Sequence, residues 1–142
     1  SELYNNLGLT YSKIDDEKKA FEFYKKGLEK DSKNTSIYYN IAEYYYAHKK
    51  YDKAIENYNK ILEIAPEYAG IYFKLGFCYK SINEYDKSLD FFYNYLKVVP
   101  NDYTTFGNLG DIYRKTKKYD KSAKIIVFRS INNNRLDLGL TI

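Results

Sequence analysis

The chain has 142 residues, of which 44% are hydrophobic, 19% aromatic and 30% charged, and this balance excludes an intrinsically disordered chain. Its 23 Lys and Arg and 19 Asp and Glu give a net charge of +4 with both signs interspersed, which does not favour nucleic acid as a partner. A single Cys78 cannot close an intrachain disulfide, and a single His48 cannot supply a histidine-rich metal site. We therefore predict neither a metal ion nor a cofactor.

No apolar run approaches the ~20 residues that cross a bilayer, and the opening sequence SELYNNLGLT lacks the basic end and apolar core of a signal peptide. A cytoplasmic location is the default expectation, and no membrane partner is predicted. The chain lacks an initiator methionine, which indicates a piece of a longer protein.

The sequence repeats itself every 34 residues. The tripeptide Tyr-Asp-Lys occurs at 51–53, 85–87 and 119–121, and Pro66 and Pro100 are separated by the same interval. We number the positions of each repeat from its first residue, and these first residues are Ser1, Thr35, Ala69 and Tyr103.

Large and small residues recur at fixed repeat positions. Position 4 always carries an aromatic residue: Tyr4, Tyr38, Tyr72 and Phe106. Positions 8 and 20 carry only small residues: Gly8, Ala42, Gly76, Gly110, Ala20, Ala54, Ser88 and Ser122. Large residues at positions 4, 7 and 11 lie on one face of a helix, and positions 20, 24, 27 and 28 repeat this spacing. Each repeat is thus predicted to be two amphipathic helices that cross closely at positions 8 and 20.

In chain order, the first helices of the repeats are predicted near 2–15, 36–49, 70–83 and 104–117, and the second helices near 17–30, 52–64, 86–98 and 120–131. Asp52, Asp86 and Asp120 are predicted to cap the N-termini of second helices. Residues 132–142 follow the fourth repeat. They contain Leu-Gly-Leu-Thr at 138–141, a copy of 7–10, which favours a truncated fifth first helix over a strand or loose tail.

The pattern resembles the tetratricopeptide repeat, and the third repeat shows the match best with Tyr72, Leu75, Gly76, Tyr79, Phe92 and Pro100. Ser32, Ser88 and Ser122 depart from it. The resemblance implies an all-α, right-handed α-solenoid of four antiparallel helix pairs. Its repeats would be 1–34, 35–68, 69–102 and 103–131 within one domain over 1–142.

The resemblance also implies a non-enzymatic scaffold that binds a protein or peptide in a concave groove lined by first helices. Repeat positions 2, 5, 6, 9, 12 and 13 face that groove. They give the candidate site residues Asn6, Lys13, Tyr39, Asn40, Glu43, Tyr46, Phe73, Lys74, Phe77, Lys80, Asn108, Asp111 and Arg114. Lys115 extends this surface.

Five positive side chains on this face, against three negative ones, favour an acidic partner. Asn6, Asn40 and Lys74 match part of the carboxylate clamp by which some tetratricopeptide domains hold a C-terminus. Glu2 and Gly70 stand where that clamp has lysines, so a full clamp is not expected. An RNA-binding helical repeat and a substrate-recruiting arm of a larger enzyme remain the alternatives.

Overall fold

A computed structural model describes residues 1–127, and these residues form only α-helices joined by short turns. The helices are α1 Glu2–Lys13, α2 Glu17–Lys30, α3 Thr35–Ala47, α4 Tyr51–Ile64, α5 Ala69–Ser81, α6 Tyr85–Val98 and α7 Tyr103–Lys115. An eighth helix, α8, is described over 119–127. The all-α prediction is confirmed. The hypothesis of a fifth first helix concerns residues that lie outside the described part.

The chain divides into two compact units, unit 1 from Ser1 to Ile71 and unit 2 from Tyr72 onward. Unit 1 holds α1 to α4 and the first residues of α5. Its core contains Ala20, Tyr24, Ile37 and Ile41. Unit 2 holds the rest of α5 and the helices that follow it, around a core of Phe92, Phe106, Leu109, Ile112 and Tyr113.

The helices of a pair cross closely at the small residues. A Cβ atom added at Gly8 would lie 2.5 Å from the Tyr24 ring, and one added at Gly76 would lie 2.7 Å from the Phe92 ring. The hydroxyl of Ser88 donates to the carbonyl oxygen of Gly76 at 2.6 Å, so position 20 touches the backbone of position 8. The close crossing predicted from the sequence is therefore confirmed in these pairs.

Each first helix ends two residues earlier than predicted, because the next-but-one residue adopts a left-handed backbone conformation. These residues have φ of 57° to 63° and occupy repeat position 15: Asp15, Lys49, Asn83 and Lys117. In each turn the N–H at position 16 donates to the carbonyl at position 11, as Lys50 does to Tyr45 at 2.8 Å. The N–H at position 15 donates to the carbonyl at position 12. This is a Schellman motif, repeated four times without a glycine.

The caps of the second helices differ from the prediction. The residue before α4 is Lys50 and the residue before α6 is Glu84, and neither side chain accepts a capping hydrogen bond. Asp52 and Asp86 instead lie within the first turn, where a carboxylate still interacts favourably with the helix dipole. Since α8 is already helical at 119, Asp120 also lies inside its helix. The prediction that these three residues are N-caps was wrong, since each lies two residues after the cap position.

Side-chain caps occur elsewhere. Asp16 accepts the N–H of Lys19 at the start of α2. Asn34 caps α3 by accepting the N–H of Ile37, and Asp102 caps α7 by accepting that of Thr105. Asn34 and Asp102 share repeat position 34, so the residue that ends one repeat fixes the first helix of the next.

The lysine at repeat position 19, which ends the Tyr-Asp-Lys tripeptide in the last three repeats, packs over a tyrosine of the same repeat. In all four repeats the amino group at position 19 lies 5.1 to 5.7 Å from the centre of the ring at position 11. The pairs are Lys19 with Tyr11, Lys53 with Tyr45, Lys87 with Tyr79, and Lys121 with Tyr113. Such cation–π contacts join the two helices of a pair at the surface.

Candidate protein-binding face

In unit 1, the candidate residues of α1 and α3 differ in exposure. Asn6 and Lys13 are exposed on α1. The α3 candidates are all half-buried: Tyr39, Asn40, Glu43 and Tyr46. The residues of α3 are therefore the ones whose positions are fixed by packing. We call these six residues, together with Asn5, the first-helix face of unit 1.

A cavity of about 270 Å³ opens beside Tyr39 and Asn40. Its walls combine apolar and polar side chains: Asn5, Thr35, Ser36, Tyr39, Asn40, Ile61, Tyr68 and Ile71. The amide Nδ2 of Asn40 donates to Oδ1 of Asn5 at 2.8 Å, which links α3 to α1. Asn5 was not among the sequence candidates. Repeat position 5 was predicted to face the groove, but only the aromatic residues at that position were chosen as candidates.

Tyr39 and Glu43 are held by the same tyrosine of α4. The rings of Tyr39 and Tyr58 meet edge to face with centroids 6.3 Å apart. The Tyr58 hydroxyl donates to the Glu43 carboxylate. Because Tyr58 is fully buried, it fixes both candidates from beneath. Tyr46 lies further along α3, where its ring meets that of Tyr51 at 5.8 Å.

In unit 2, four candidates form one hydrogen-bonded cluster. The ammonium of Lys80 donates to Oδ1 of Asn108 at 2.8 Å and to Oδ2 of Asp111 at 3.1 Å. Arg114 pairs with the other carboxylate oxygen of Asp111. The Lys80 side chain is only 15% exposed, so this lysine is a structural link between α5 and α7.

Burial alone would raise the pKa of the Asp111 carboxyl. The hydrogen bonds and positive charges of Lys80 and Arg114 outweigh burial, and the net pKa lies below its ordinary value. Asp111 therefore stays ionised near neutral pH. Asp111 is one of the three negative charges already counted on this face, so its pairing with two of the five cations leaves the small positive surplus unchanged.

The aromatic candidates of α5 are half-buried. Phe73 meets Phe92 at a centroid distance of 5.8 Å and Tyr95 at 5.3 Å. Phe77 also packs against the core of unit 2, and Lys74, between them on the same helix, is half-buried. These rings are part core and part surface, so substituting them would change stability as well as binding.

Outside this face, the cysteine and the histidine, whose side chains could take part in chemistry, have packing roles. Cys78 is fully buried. His48 lies between the Tyr44 carbonyl, 2.7 Å from Nδ1, and Asp15, 2.9 Å from Nε2. Within residues 1–127 there is no group of three or more His, Cys, Asp or Glu that could hold a metal ion. No helix among the described residues is long and apolar enough to cross a membrane.

Two family models described as tetratricopeptide repeat match the chain, one over residues 34–101 and the other over 1–34 and 103–126. The chain belongs to the tetratricopeptide repeat family. No curated protein matches it in sequence. The family membership supports a protein-interaction scaffold.

Solved structures of MamA share the tetratricopeptide-like fold. A crystal structure of MamA superposes with a TM-score of 0.82 at 23% identity, covering 96% of this chain and 80% of MamA. MamA from Desulfovibrio magneticus RS-1 gives a TM-score of 0.80 at 17% identity, with 96% and 77% covered. A structure of MamA AMB-1 gives 0.79 at 21% identity, with 98% and 74% covered. At these identities the likeness shows the fold alone.

Proposed function

We propose that this protein is a non-enzymatic scaffold that binds a peptide or helical segment of another protein on its first-helix faces. These are the face defined above in unit 1 and, in unit 2, the face formed by Phe73, Lys74, Phe77, Lys80, Asn108, Asp111 and Arg114. The observation that carries the proposal is the cavity beside Tyr39 and Asn40 in unit 1. It combines an aromatic ring, which supplies apolar contact area, with an amide that can both donate and accept hydrogen bonds. A polypeptide offers the matching groups, since it has apolar side chains and paired backbone donors and acceptors.

The packing beneath the face supports this role. Tyr39 rests on buried Tyr58, and Asn40 is oriented by Asn5. Side chains that are already ordered lose little conformational entropy when a partner binds. The Lys80–Asp111–Arg114 cluster supports protein over RNA as the partner, because the carboxylate draws both cations away from a phosphate backbone.

Site-specific crosslinking would test the proposal. A photoreactive phenylalanine analogue placed at Tyr39 should capture a protein segment, and the same analogue at exposed Glu56 on α4 should not. The captured segment, made synthetically, is then titrated by calorimetry against purified variants. We expect Tyr39→Ala and Asn40→Ala each to weaken binding about tenfold, corresponding to ~1.4 kcal/mol.

Glu56→Ala serves as the control, because Glu56 is exposed and lies on a second helix. The melting temperature of each variant shows whether the domain remains folded. Equal affinities for folded Tyr39→Ala, folded Asn40→Ala and the unaltered protein would contradict the proposal. Capture of RNA at Tyr39 would favour the RNA-binding alternative instead.

A further inference from the structure

The positive charge of the chain is concentrated in one short segment. Residues 114–124 contain one acidic residue, Asp120, and six basic ones: Arg114, Lys115, Lys117, Lys118, Lys121 and Lys124. All six basic side chains are exposed. Removing six of 23 basic and one of 19 acidic residues leaves 17 against 18 elsewhere, so the rest of the chain is close to neutral. We call these six residues the basic patch.

The fold does not require the charges of Lys118 and Lys124. Repeat position 22 is acidic in the first three repeats, as Glu22, Glu56 and Asp90, but is Lys124 in the fourth. Position 16 is Glu84 in the third repeat and Lys118 in the fourth. Both turns nevertheless have a left-handed residue at position 15 and the same backbone hydrogen bonds. The other five patch positions carry lysine in at least one other repeat, and the fourth repeat combines all of them with Lys124.

Part of the patch borders a cavity of about 260 Å³ that is distinct from the first-helix faces. Its lining is Tyr93, Tyr113, Lys121, Lys124 and Ile125. The hydroxyls of Tyr93 and Tyr113 lie 2.9 Å apart and share one hydrogen bond. Of their two hydroxyl hydrogens one makes this bond, so the pair can still donate one to a ligand. Two ammonium groups and a hydroxyl donor at one cavity suit an anionic hydrogen-bond acceptor.

We propose that the basic patch and this cavity bind a cluster of carboxylates in an Asp- and Glu-rich protein segment. The described part of α8 is nine residues, or roughly 13 Å, long, which spans only a few charges of a partner. Outside this segment the sequence has 17 basic and 18 acidic residues, so a nucleic-acid strand or an anionic membrane that extends beyond the patch meets no net positive charge in the rest of the chain. A compact acidic segment matches the patch in both size and charge.

Because Arg114 is also a first-helix candidate and pairs with Asp111, this inference is tested through patch residues outside that candidate set. It is tested on the complete chain by fluorescence anisotropy, with a labelled short peptide of alternating Glu and Ser as the probe. The matched peptide with Gln in place of Glu, a single-stranded oligothymidylate and phosphatidylserine vesicles are the comparison ligands. We expect the Glu peptide to bind most tightly, and to bind more weakly as salt is added.

The test variant is Lys118→Glu with Lys124→Glu, because glutamate stands at position 16 in the third repeat and at position 22 in the first two. We expect it to raise the Kd for the Glu peptide about tenfold. The control is Lys25→Glu with Lys33→Glu, which changes the net charge equally on exposed residues of unit 1. It should change the Kd less than about twofold.

Three results would overturn the proposal. The first is an unchanged Kd in a folded Lys118→Glu/Lys124→Glu variant. The second is equal binding of the Gln peptide, and the third is tighter binding of the oligothymidylate or the vesicles than of the Glu peptide.

Discussion

The Ser88 hydroxyl donates a 2.6 Å hydrogen bond to the Gly76 carbonyl, across the pair formed by α5 and α6. Ser122 makes the same contact with Gly110 at 3.2 Å in the next pair. Both serines occupy the position where Ala20 and Ala54 stand in unit 1. The serines that depart from the family pattern therefore bond the two helices together and do not weaken the crossing.

Gly76→Ala should destabilise the domain by ~1 to 3 kcal/mol, because its Cβ would lie 2.7 Å from the buried Phe92 ring. Gly76→Leu should cost more. Gly70→Ala is the matched control, since no side chain lies within 4 Å of its added Cβ and alanine favours helix. Urea unfolding would compare the three variants. A Gly76→Ala domain as stable as the unaltered protein would mean that the helices of this pair can move apart freely.

Lys49→Gly should stabilise the domain by ~1 kcal/mol, because Lys49 has a φ of 57° that costs a side-chain-bearing residue more than glycine. Lys49 is exposed, so little packing is lost. Glu56→Gly, inside α4, should instead destabilise it by about 1 kcal/mol. Opposite shifts in melting temperature are expected. A loss of stability on Lys49→Gly would show that the lysine side chain contributes more than its backbone strain costs.

Asp111→Asn should lower stability at neutral pH by up to ~1 kcal/mol, a small effect because the carboxylate is partly solvated. The folded-state pKa of Asp111 lies below its ordinary value of 3.8. Its stabilising contribution is therefore present above that pH and is lost as the pH falls through the folded-state pKa. Denaturant unfolding at several pH values should show the variant and the unaltered protein converging in acid. A constant difference at all pH values would contradict the ionic role of Asp111.

Lys53→Gln should destabilise unit 1 by about 0.5 to 1 kcal/mol, since it removes an ammonium group 5.1 Å from the Tyr45 ring. Glutamine keeps a similar length and helix propensity, so the charge is the main difference. Lys25→Gln, at an exposed position of α2, is the control. Thermal melts that agree within error for both variants would show that the contact is energetically neutral.

The sequence predicted the helices and the close crossings because both follow from the size of single residues at fixed repeat positions. Gly76 and Ser88 show this, since smallness alone placed them at the crossing. The left-handed turn was missed, because Lys49 and Lys117 are not residue types that signal a positive φ. Because the turn was missed, the second helix was predicted to start too late, and Asp52 was predicted to be its cap in place of the residue at position 16.

For the candidate face, the repeat pattern could predict which helix positions share a side but not the partners of their side chains. Lys80 was expected to be an accessible cation, yet it reaches Asp111, 31 residues away in the next repeat. That contact depends on how far α5 lies from α7 and on the rotamer of a long side chain, and neither quantity has a periodic signature. Tyr58 is a similar case, since its hydroxyl donates a hydrogen bond to Glu43 from beneath the face.

The four left-handed turns also bear on how such a chain can diversify. Their geometry is held by main-chain hydrogen bonds, and aspartate, lysine, asparagine and lysine all occupy the same position. Mutation can therefore alter surface electrostatics at these turns at little cost to folding, whereas the buried crossings tolerate few exchanges. Turn residues are accordingly the places where each repeat can carry its own surface charge, and where an engineer could introduce a new contact without redesigning the helices.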